Sequence, residues 1–283
     1  MIVLKSRQEI ALMQASGAIV AEILAQLKAA IRPGVTTAEL DEIAARETRR
    51  HKARPAFKGY EVAGRVFPAT LCVAVNDEVV HGIPSPRRTL QEGDMVGIDF
   101  GVCYQGFFSD SAVTLAVGEV DEESRRLMRV TEESLWLGIA QMKVGKRVGD
   151  VSAAVQEHVE SEGFSVVREF VGHGIGTQLH ELPQLPNFGQ RDRGVRLRAG
   201  MVLAIEPMVN AGGAPVRVLS DGWTAVTCDG SRSAHYEHSV AITEEGPLVL
   251  TASGEKRVAS LGTASGRDQA FASGAPLQGE SQA

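Results

Sequence analysis

Two segments of this chain decide its fold: Gly93-Asp-Met-Val-Gly-Ile-Asp99 and Gly200-Met-Val-Leu-Ala-Ile-Glu206. They align without a gap, and in each an apolar run ends in a carboxylate. A second matching pair follows in the same order, Asp110-Ser-Ala-Val-Thr-Leu115 and Glu237-His-Ser-Val-Ala-Ile242. A third pair, residues 31–40 and 142–151, precedes both. One such alignment can arise by chance, but three in the same order indicate an internal duplication.

The first repeat predicts two helices and then two strands. Ser6 with Glu9 is a capping-box signature for a helix that ends at Pro33-Gly34, and a second helix begins at Thr36-Thr37. Strands are predicted at 95–103 and 107–117. A two-residue turn at Tyr104-Gln105 would place residue 99 directly opposite residue 110.

The second repeat has the same order of elements. Helices are predicted at about 121–143 and 150–162, followed by a β-rich stretch to about residue 250. We therefore predict an α+β fold with a central antiparallel sheet, formed by one domain over residues 1–252 with halves of about 1–118 and 119–252. Residues 253–283 are rich in Ser, Ala, Gly and Gln, which predicts disorder.

The composition indicates a cytoplasmic globular protein. The net charge of −6 gives no electrostatic signature for nucleic acid or an anionic membrane. Three widely spaced cysteines form no disulfide framework, which suits a reducing compartment. The N-terminus lacks the pattern of a signal peptide, and we expect no membrane span.

The four duplicated acids predict a metal centre. A single acid after an apolar strand is more often a satisfied buried carboxylate, but the duplication would bring Asp99, Asp110, Glu206 and Glu237 together. Two bare carboxylates about 5 Å apart repel by roughly 3 kcal/mol at an effective dielectric near 20. Two divalent ions would neutralise all four charges. An imidazole candidate is His173, flanked by glycines in Gly172-His-Gly, although a structural histidine is the alternative.

The donor set narrows the choice of metal. Oxygen ligands with one imidazole and no thiolate suit Mn²⁺, Fe²⁺ or Co²⁺, and Zn²⁺ is possible. His81 and His180 lie in turn-rich segments and are the remaining candidates for acid–base or hydrogen-bonding work.

Several motifs together resemble the type I methionine aminopeptidases over about residues 2–251. They are 67–84 (Phe-Pro-Ala-Thr-Leu-Cys-Val-Ala-Val-Asn-Asp-Glu-Val-Val-His-Gly-Ile-Pro), Ile98-Asp-Phe-Gly101, Ser109-Asp-Ser111, Gly172-His-Gly-Ile-Gly176, Ala204-Ile-Glu-Pro207 and Tyr236-Glu-His-Ser239. The resemblance implies the pita-bread fold, in which two pseudo-symmetric halves surround one metal centre. It also implies release of the initiator methionine from nascent polypeptides when the next residue is small, by a monomer, with transient ribosome contact left open.

The resemblance assigns roles to individual residues. Asp110 and Glu237 would serve both ions, Asp99 one ion, and His173 and Glu206 the other. Glu206 would also transfer protons, and His81 and His180 would contact the substrate. The methionine pocket falls on Phe67, Cys72, Leu179 and Trp223, although for Trp223 a core aromatic is the alternative.

The chain departs from the family pattern at three positions. Phe67 stands where many members have tyrosine, so a hydroxyl contact is lost. Leu179 replaces an aromatic residue. Gly97 replaces a frequent asparagine beside the family's monovalent-cation site, so the sequence predicts neither the presence nor the absence of that site.

Three other classes of protein could share parts of this pattern. Proline-directed peptidases of the same fold usually carry a large N-terminal domain, whereas here the repeat begins within the first ten residues. Type II methionine aminopeptidases carry a helical insertion between the last two acidic ligands, and Glu206 and Glu237 are too close for one. A peptide-binding pseudoenzyme would be expected to lack one of the five ligands.

Overall fold

A computed structural model of the protein describes residues 1–252, and the disorder predicted for 253–283 lies outside them. The helices are α1 (Arg7–Ala30), α2 (Thr37–Arg50), α3 (Glu122–Gln141) and α4 (Val148–Ser161). The strands of the first half are β1 (Arg54–Pro55), β2 (Glu61–Val62), β3 (Arg65–Val66), β4 (Cys72–Val75), β5 (Glu78–Val80), β6 (Met95–Tyr104) and β7 (Phe107–Ala116). Those of the second half are β8 (Ser165–Val166), β9 (Gly172–Gly174), β10 (Glu181–Leu185), β11 (Val202–Ile205), β12 (Met208–Asn210), β13 (Val216–Val218), β14 (Ala225–Thr227), β15 (Ser233–His235), β16 (His238–Thr243) and β17 (Gly246–Val249).

Capping boxes form at the N-terminal ends of α1 and α2. The Glu9 amide donates to Ser6 Oγ at 3.3 Å, and the Ser6 amide donates to the Glu9 carboxylate at 2.7 Å. Thr36 and Glu39 repeat this arrangement at 3.2 and 2.7 Å. These reciprocal bonds satisfy amides that a helix start leaves without a partner. The helix start predicted at Ser6 is confirmed.

The duplication is visible in the backbone. Gly34 and Gly145 precede α2 and α4 with φ of 91° and 90°. Gly93 and Gly200 precede β6 and β11 with φ of 89° and 88°. These left-handed conformations favour glycine, because a side chain would be strained there. The two halves therefore repeat one backbone path.

Each half buries its helices against its own strands. In the first half, α1 and α2 cover β4 and β6, and Phe100 is fully buried between them. In the second half, α3 and α4 pack on each other and on β11. Gly138 on α3 permits this approach, because an added Cβ would lie 2.6 Å from Ile205 Cδ1.

The predicted hairpin of β6 and β7 forms, but its predicted turn is wrong by one residue. Tyr104 pairs with Phe107, so the turn consists of Gln105 and Gly106. Both turn residues have positive φ, 49° and 86°. A type I′ turn requires two such residues, and glycine supplies one of them without strain.

The corrected turn changes the register but not the face. Asp99 pairs with Ala112, and Gly101 pairs with Asp110, so Asp99 is not directly opposite Asp110. Because the shift is two residues, and side chains alternate with a period of two, the two carboxylates still point to the same side.

The two halves meet where β7 lies beside β16. Ala112 and Glu237 exchange both main-chain hydrogen bonds, at 3.3 and 2.9 Å. Ser239 Oγ accepts from the Asp110 amide at 3.0 Å and donates to the Asp110 carbonyl at 2.8 Å. This contact holds one acid from each half at the junction.

Helix α1 is long and apolar enough, by length and composition, to cross a membrane. Its apolar residues Val20, Ile23 and Leu27 are buried in the core of the first half. Among the described residues α1 therefore serves as a core helix.

All three cysteines are free, as expected.

Candidate metal centre

Five potential ligands come from five separate points of the sheets. Asp99 lies on β6, Asp110 on β7 and His173 on β9, while Glu206 follows β11 and Glu237 precedes β16. All five line one cavity of about 210 Å³ at the junction of the halves. The strand pairings described above are what bring them to this one place.

Three of these side chains are close enough to share one ion. Ligand atoms of Asp110, His173 and Glu237 all lie within 4.8 Å of one another. His173 Nε2 also lies 3.5 Å from Glu206 Oε1. His173 Nδ1 donates to the Gly174 carbonyl at 2.9 Å, which leaves the Nε2 lone pair directed at the acids.

The acids are held in an environment that disfavours their charge. Burial, followed by the neighbouring carboxylates, raises the pKa of Asp99, Glu206 and Glu237 well above the usual range. Burial raises the pKa of Asp110 to about 7, although hydrogen bonds from Asp99 and the Ser111 amide oppose this. Burial lowers the pKa of His173 to about 3, so this imidazole is neutral.

This donor set fits divalent metal ions. Asp99 Oδ1 and Glu237 Oε1 are buried, and neither accepts a hydrogen bond from the residues that the structure describes. A buried acceptor without a donor is costly, and a cation supplies what is missing. Four carboxylates and a neutral imidazole offer the hard oxygen and nitrogen ligands that such ions prefer.

Two further histidines lie at the rim of the cluster. The His180 ring is 4.3 Å from the His173 ring, and its Nδ1 lies 2.6 Å from the Tyr60 hydroxyl. Burial lowers the pKa of His180 and lowers that of His81 to about 4, so both rings are neutral. His81 packs edge-on against Phe170 at 5.3 Å and has a φ of 60°. A non-glycine residue held in this conformation is typical of functional sites.

An apolar pocket adjoins the acids in the same cavity. Phe67, Cys72 and Leu179 are buried within it, and Trp223 lies half-buried over Phe67 with ring centroids 5.2 Å apart. Phe57 also lines this cavity and makes an edge contact with Phe67 at 6.5 Å. The cavity thus has a charged end and an apolar end.

The model of metallopeptidase family M24 matches residues 11–244. The chain belongs to metallopeptidase family M24. A methionine aminopeptidase of Clostridium perfringens is 53% identical over 251 residues, which cover 89% of this chain and 99% of that protein. The crystal structure of a methionine aminopeptidase from Thermotoga maritima has a TM-score of 0.87 at 48% identity and covers 89% of this chain and 100% of that one.

This member of family M24 therefore stands among the methionine aminopeptidases, and the predicted resemblance and pita-bread α+β fold are confirmed. A prolidase from Pyrococcus furiosus is more distant, with a TM-score of 0.70 at 23% identity over 89% of this chain and 66% of that one. Such a likeness shows the shared fold alone.

In this M24 peptidase, all eleven residues singled out from the sequence line the one cavity: Phe67, Cys72, His81, Asp99, Asp110, His173, Leu179, His180, Glu206, Trp223 and Glu237. Sequence reasoning missed Tyr60 and Phe170, which contact His180 and His81. Neither lies in a periodic element, and no spacing links Tyr60 to a histidine 120 positions away.

Proposed function

We propose that this chain releases the N-terminal methionine from polypeptides by hydrolysis, with two divalent cations bound by Asp99, Asp110, His173, Glu206 and Glu237. Methionine aminopeptidase is the activity named for its relatives. The observation that carries the proposal is one cavity in which a cluster of acids with orphaned oxygens adjoins an apolar pocket.

The five proposed ligands would divide between two ions. Asp110 and Glu237 are the acids that the junction of the halves holds together, so they would serve both ions. Asp99 would complete one ion, and His173 and Glu206 the other, in keeping with the 3.5 Å between those two side chains. Mn²⁺, Fe²⁺ or Co²⁺ suit this set, with Zn²⁺ as an alternative. When bound, such ions lower the pKa of water and polarise a peptide carbonyl.

Glu206 would transfer protons during hydrolysis. Its carboxylate faces the cavity, and its Oε1 lies 3.5 Å from His173 Nε2. It would take the proton of the attacking water and return it to the leaving amine.

His180 would stabilise the tetrahedral intermediate. Burial raises the pKa of Tyr60, so its hydroxyl keeps its proton and would donate to His180 Nδ1. The His180 proton is then on Nε2, from which it can be donated to the developing oxyanion. His81, held against Phe170, would position the scissile amide.

The apolar pocket would receive the methionine side chain. Phe67, Cys72, Leu179 and Trp223 offer apolar and sulfur contacts that suit a thioether. Burial of such a side chain stabilises the complex by about 1.5–3 kcal/mol. The pocket has no hydroxyl at Phe67, so it would select by size and apolarity.

A pair of peptides tests this function against its rivals. We expect release of methionine from Met-Gly-Met, little release from Met-Leu-Met, loss of activity with a chelator and recovery on addition of Mn²⁺ or Co²⁺. Cleavage of an Xaa-Pro dipeptide alone would favour a proline-directed peptidase. Binding of Met-Gly-Met without cleavage at any metal concentration would favour a peptide-binding pseudoenzyme.

We further propose a cellular location, an oligomeric state and a partner for this reaction. The substrates would be the N-termini of nascent chains in the cytoplasm, reached by a monomer through transient contact with the ribosome. Sedimentation of the purified protein tests the monomer, and co-pelleting with ribosomes at low and high salt tests the contact.

A further inference from the structure

A buried ion pair lies directly behind the His180 turn, outside the set of ligands and pocket residues. Lys5 Nζ and Glu181 Oε2 are 2.5 Å apart, and only 3% and 9% of the two side chains are exposed. Burial of two charges is expensive, and either partner left alone would be strongly destabilising. The hydrogen bonds around the pair show which segments it holds in place.

The carboxylate of Glu181 closes the turn that precedes it. Its second oxygen, Oε1, accepts from the Gln178 amide at 3.2 Å. The Gly176 amide donates to the Gln178 carbonyl at 3.1 Å and tightens the same turn. This turn carries Leu179, which belongs to the apolar pocket, and His180, which lies at the rim of the acid cluster.

Lys5 is itself fixed to the second half of the molecule. Its amide donates to the Gly200 carbonyl at 2.7 Å, just before β11. The main chain at Gly176 packs closely on the pair, because an added Cβ would lie 2.4 Å from Lys5 Cε and 2.6 Å from Glu181 Oε1. The N-terminal segment, β11 and the His180 turn thus meet at one ion pair.

We propose that Lys5 and Glu181 are positioning residues that fix the His180 turn for catalysis. This inference rests on the proposed function, because it gives both residues a role through His180. Lys5 holds the Glu181 carboxylate, the carboxylate holds the turn, and the turn aims His180 across the cavity towards the substrate. A hydrogen-bond donor to a developing oxyanion loses its effect when it is misplaced by a fraction of the bond length.

Replacement of Lys5 should therefore lower kcat more than it raises KM. For Lys5→Met, we expect kcat to fall about 10- to 100-fold, the range that a misplacement of about 1 Å produces. We expect KM to rise by a smaller factor, because Leu179 on the same turn is only one of the pocket residues, and we expect the metal content to stay at the wild-type value. Glu181→Gln keeps an acceptor for the Gln178 amide and should lose less activity than Glu181→Ala.

The decisive measurement is Lys5→Met in a His180→Ala background. If Lys5 acts through His180, its replacement should have no further effect on kcat once the imidazole is gone. The matched control is Glu47→Gln on α2, whose carboxylate is also 3% exposed and is paired with Arg46 and Arg50 far from the cavity. This control should leave kcat unchanged.

Three outcomes overturn the inference. They are an unchanged kcat in Lys5→Met, an equal loss in the presence and absence of the His180 ring, and an equal loss in Glu47→Gln. If Lys5→Met does not fold, the comparison of Glu181→Gln with Glu181→Ala in both backgrounds gives the same answer. Failure of the wild type and the Glu47→Gln variant to release methionine would instead overturn the proposed function, and this inference with it.

Discussion

Removal of metal should make Asp110 destabilise the folded protein increasingly as the pH rises. In the metal-free folded state burial raises the pKa of Asp110 from 3.8 to about 7. The unfolded chain loses this proton near pH 4, whereas the folded protein keeps it until about pH 7. At Asp110 the folded state therefore binds more protons than the unfolded chain between these values, and the contribution of this group to the free energy of unfolding decreases across that window. His81 and His173, whose pKa values burial lowers, contribute in the opposite sense below about pH 6.5, so the effect of Asp110 is read from a variant. At 1.36 kcal/mol per pH unit, Asp110 alone accounts for about 4 kcal/mol.

Asp110→Asn tests this magnitude. The amide cannot ionise, so without metal the variant should be more stable than the wild type at pH 8, by as much as about 4 kcal/mol, and about equally stable at pH 4. With Mn²⁺ this difference should shrink, because a metal at 100 times its Kd stabilises the folded wild type by about 2.7 kcal/mol and the variant lacks a ligand.

The assay is urea unfolding followed by circular dichroism at pH 4 to 8.5, with chelator and with Mn²⁺. Glu157→Gln is a charge-matched control, because Glu157 pairs with Arg191 on the surface of α4. This control should leave the pH profile unchanged. A metal-free difference in stability between Asp110→Asn and the wild type that does not change from pH 4.5 to 7 would refute the reasoning, as would a metal-free variant that is the less stable protein at pH 8.

Three further substitutions probe the catalytic end and the apolar end of the cavity. Glu206→Gln should lower kcat by a factor of about 10² to 10⁴ with the fold intact by circular dichroism, and retained turnover of Met-Gly-Met would remove Glu206 from proton transfer. Tyr60→Phe removes the 2.6 Å hydrogen bond to His180. This bond is worth about 1.4 kcal/mol, so kcat should fall about tenfold at unchanged KM. A change confined to KM would contradict this role. Trp223→Ala should raise KM for Met-Gly-Met about 30-fold, for a loss of about 2 kcal/mol of apolar contact, and should improve cleavage of Phe-Gly-Met relative to it. Equal KM values in the variant and the wild type would indicate that Trp223 is a core aromatic residue and does not contact the substrate.

The elements that could be predicted from sequence are those with local chemical signals. Ser6 and Glu9 define a helix start because a capping box needs only four residues. The matched segments ending in Asp99 and Glu206 define strands because their apolar runs and their acids recur together. The acid cluster followed from the duplication, since two similar halves packed face to face must bring equivalent residues together.

The missed features depend on backbone geometry or on distant contacts. The turn at Gln105-Gly106 is set by which two residues accept positive φ, and the assumed turn one residue earlier left the glycine outside it. Tyr60 reaches His180 from an irregular segment, and Lys5 reaches Glu181 from the far end of the chain. No periodicity in the sequence encodes such meetings, which only the assembled fold creates.

The main-chain bonds between Ala112 and Glu237 have an evolutionary consequence. Each repeat supplies two acids and leaves them at an open edge, where water would solvate them and no ion would be tightly held. An ancestor with a single repeat could have built this centre only by self-association about a twofold axis. Two repeats joined in one chain are free to differ, and among the five proposed ligands the imidazole of His173 on β9 has no counterpart in the first half.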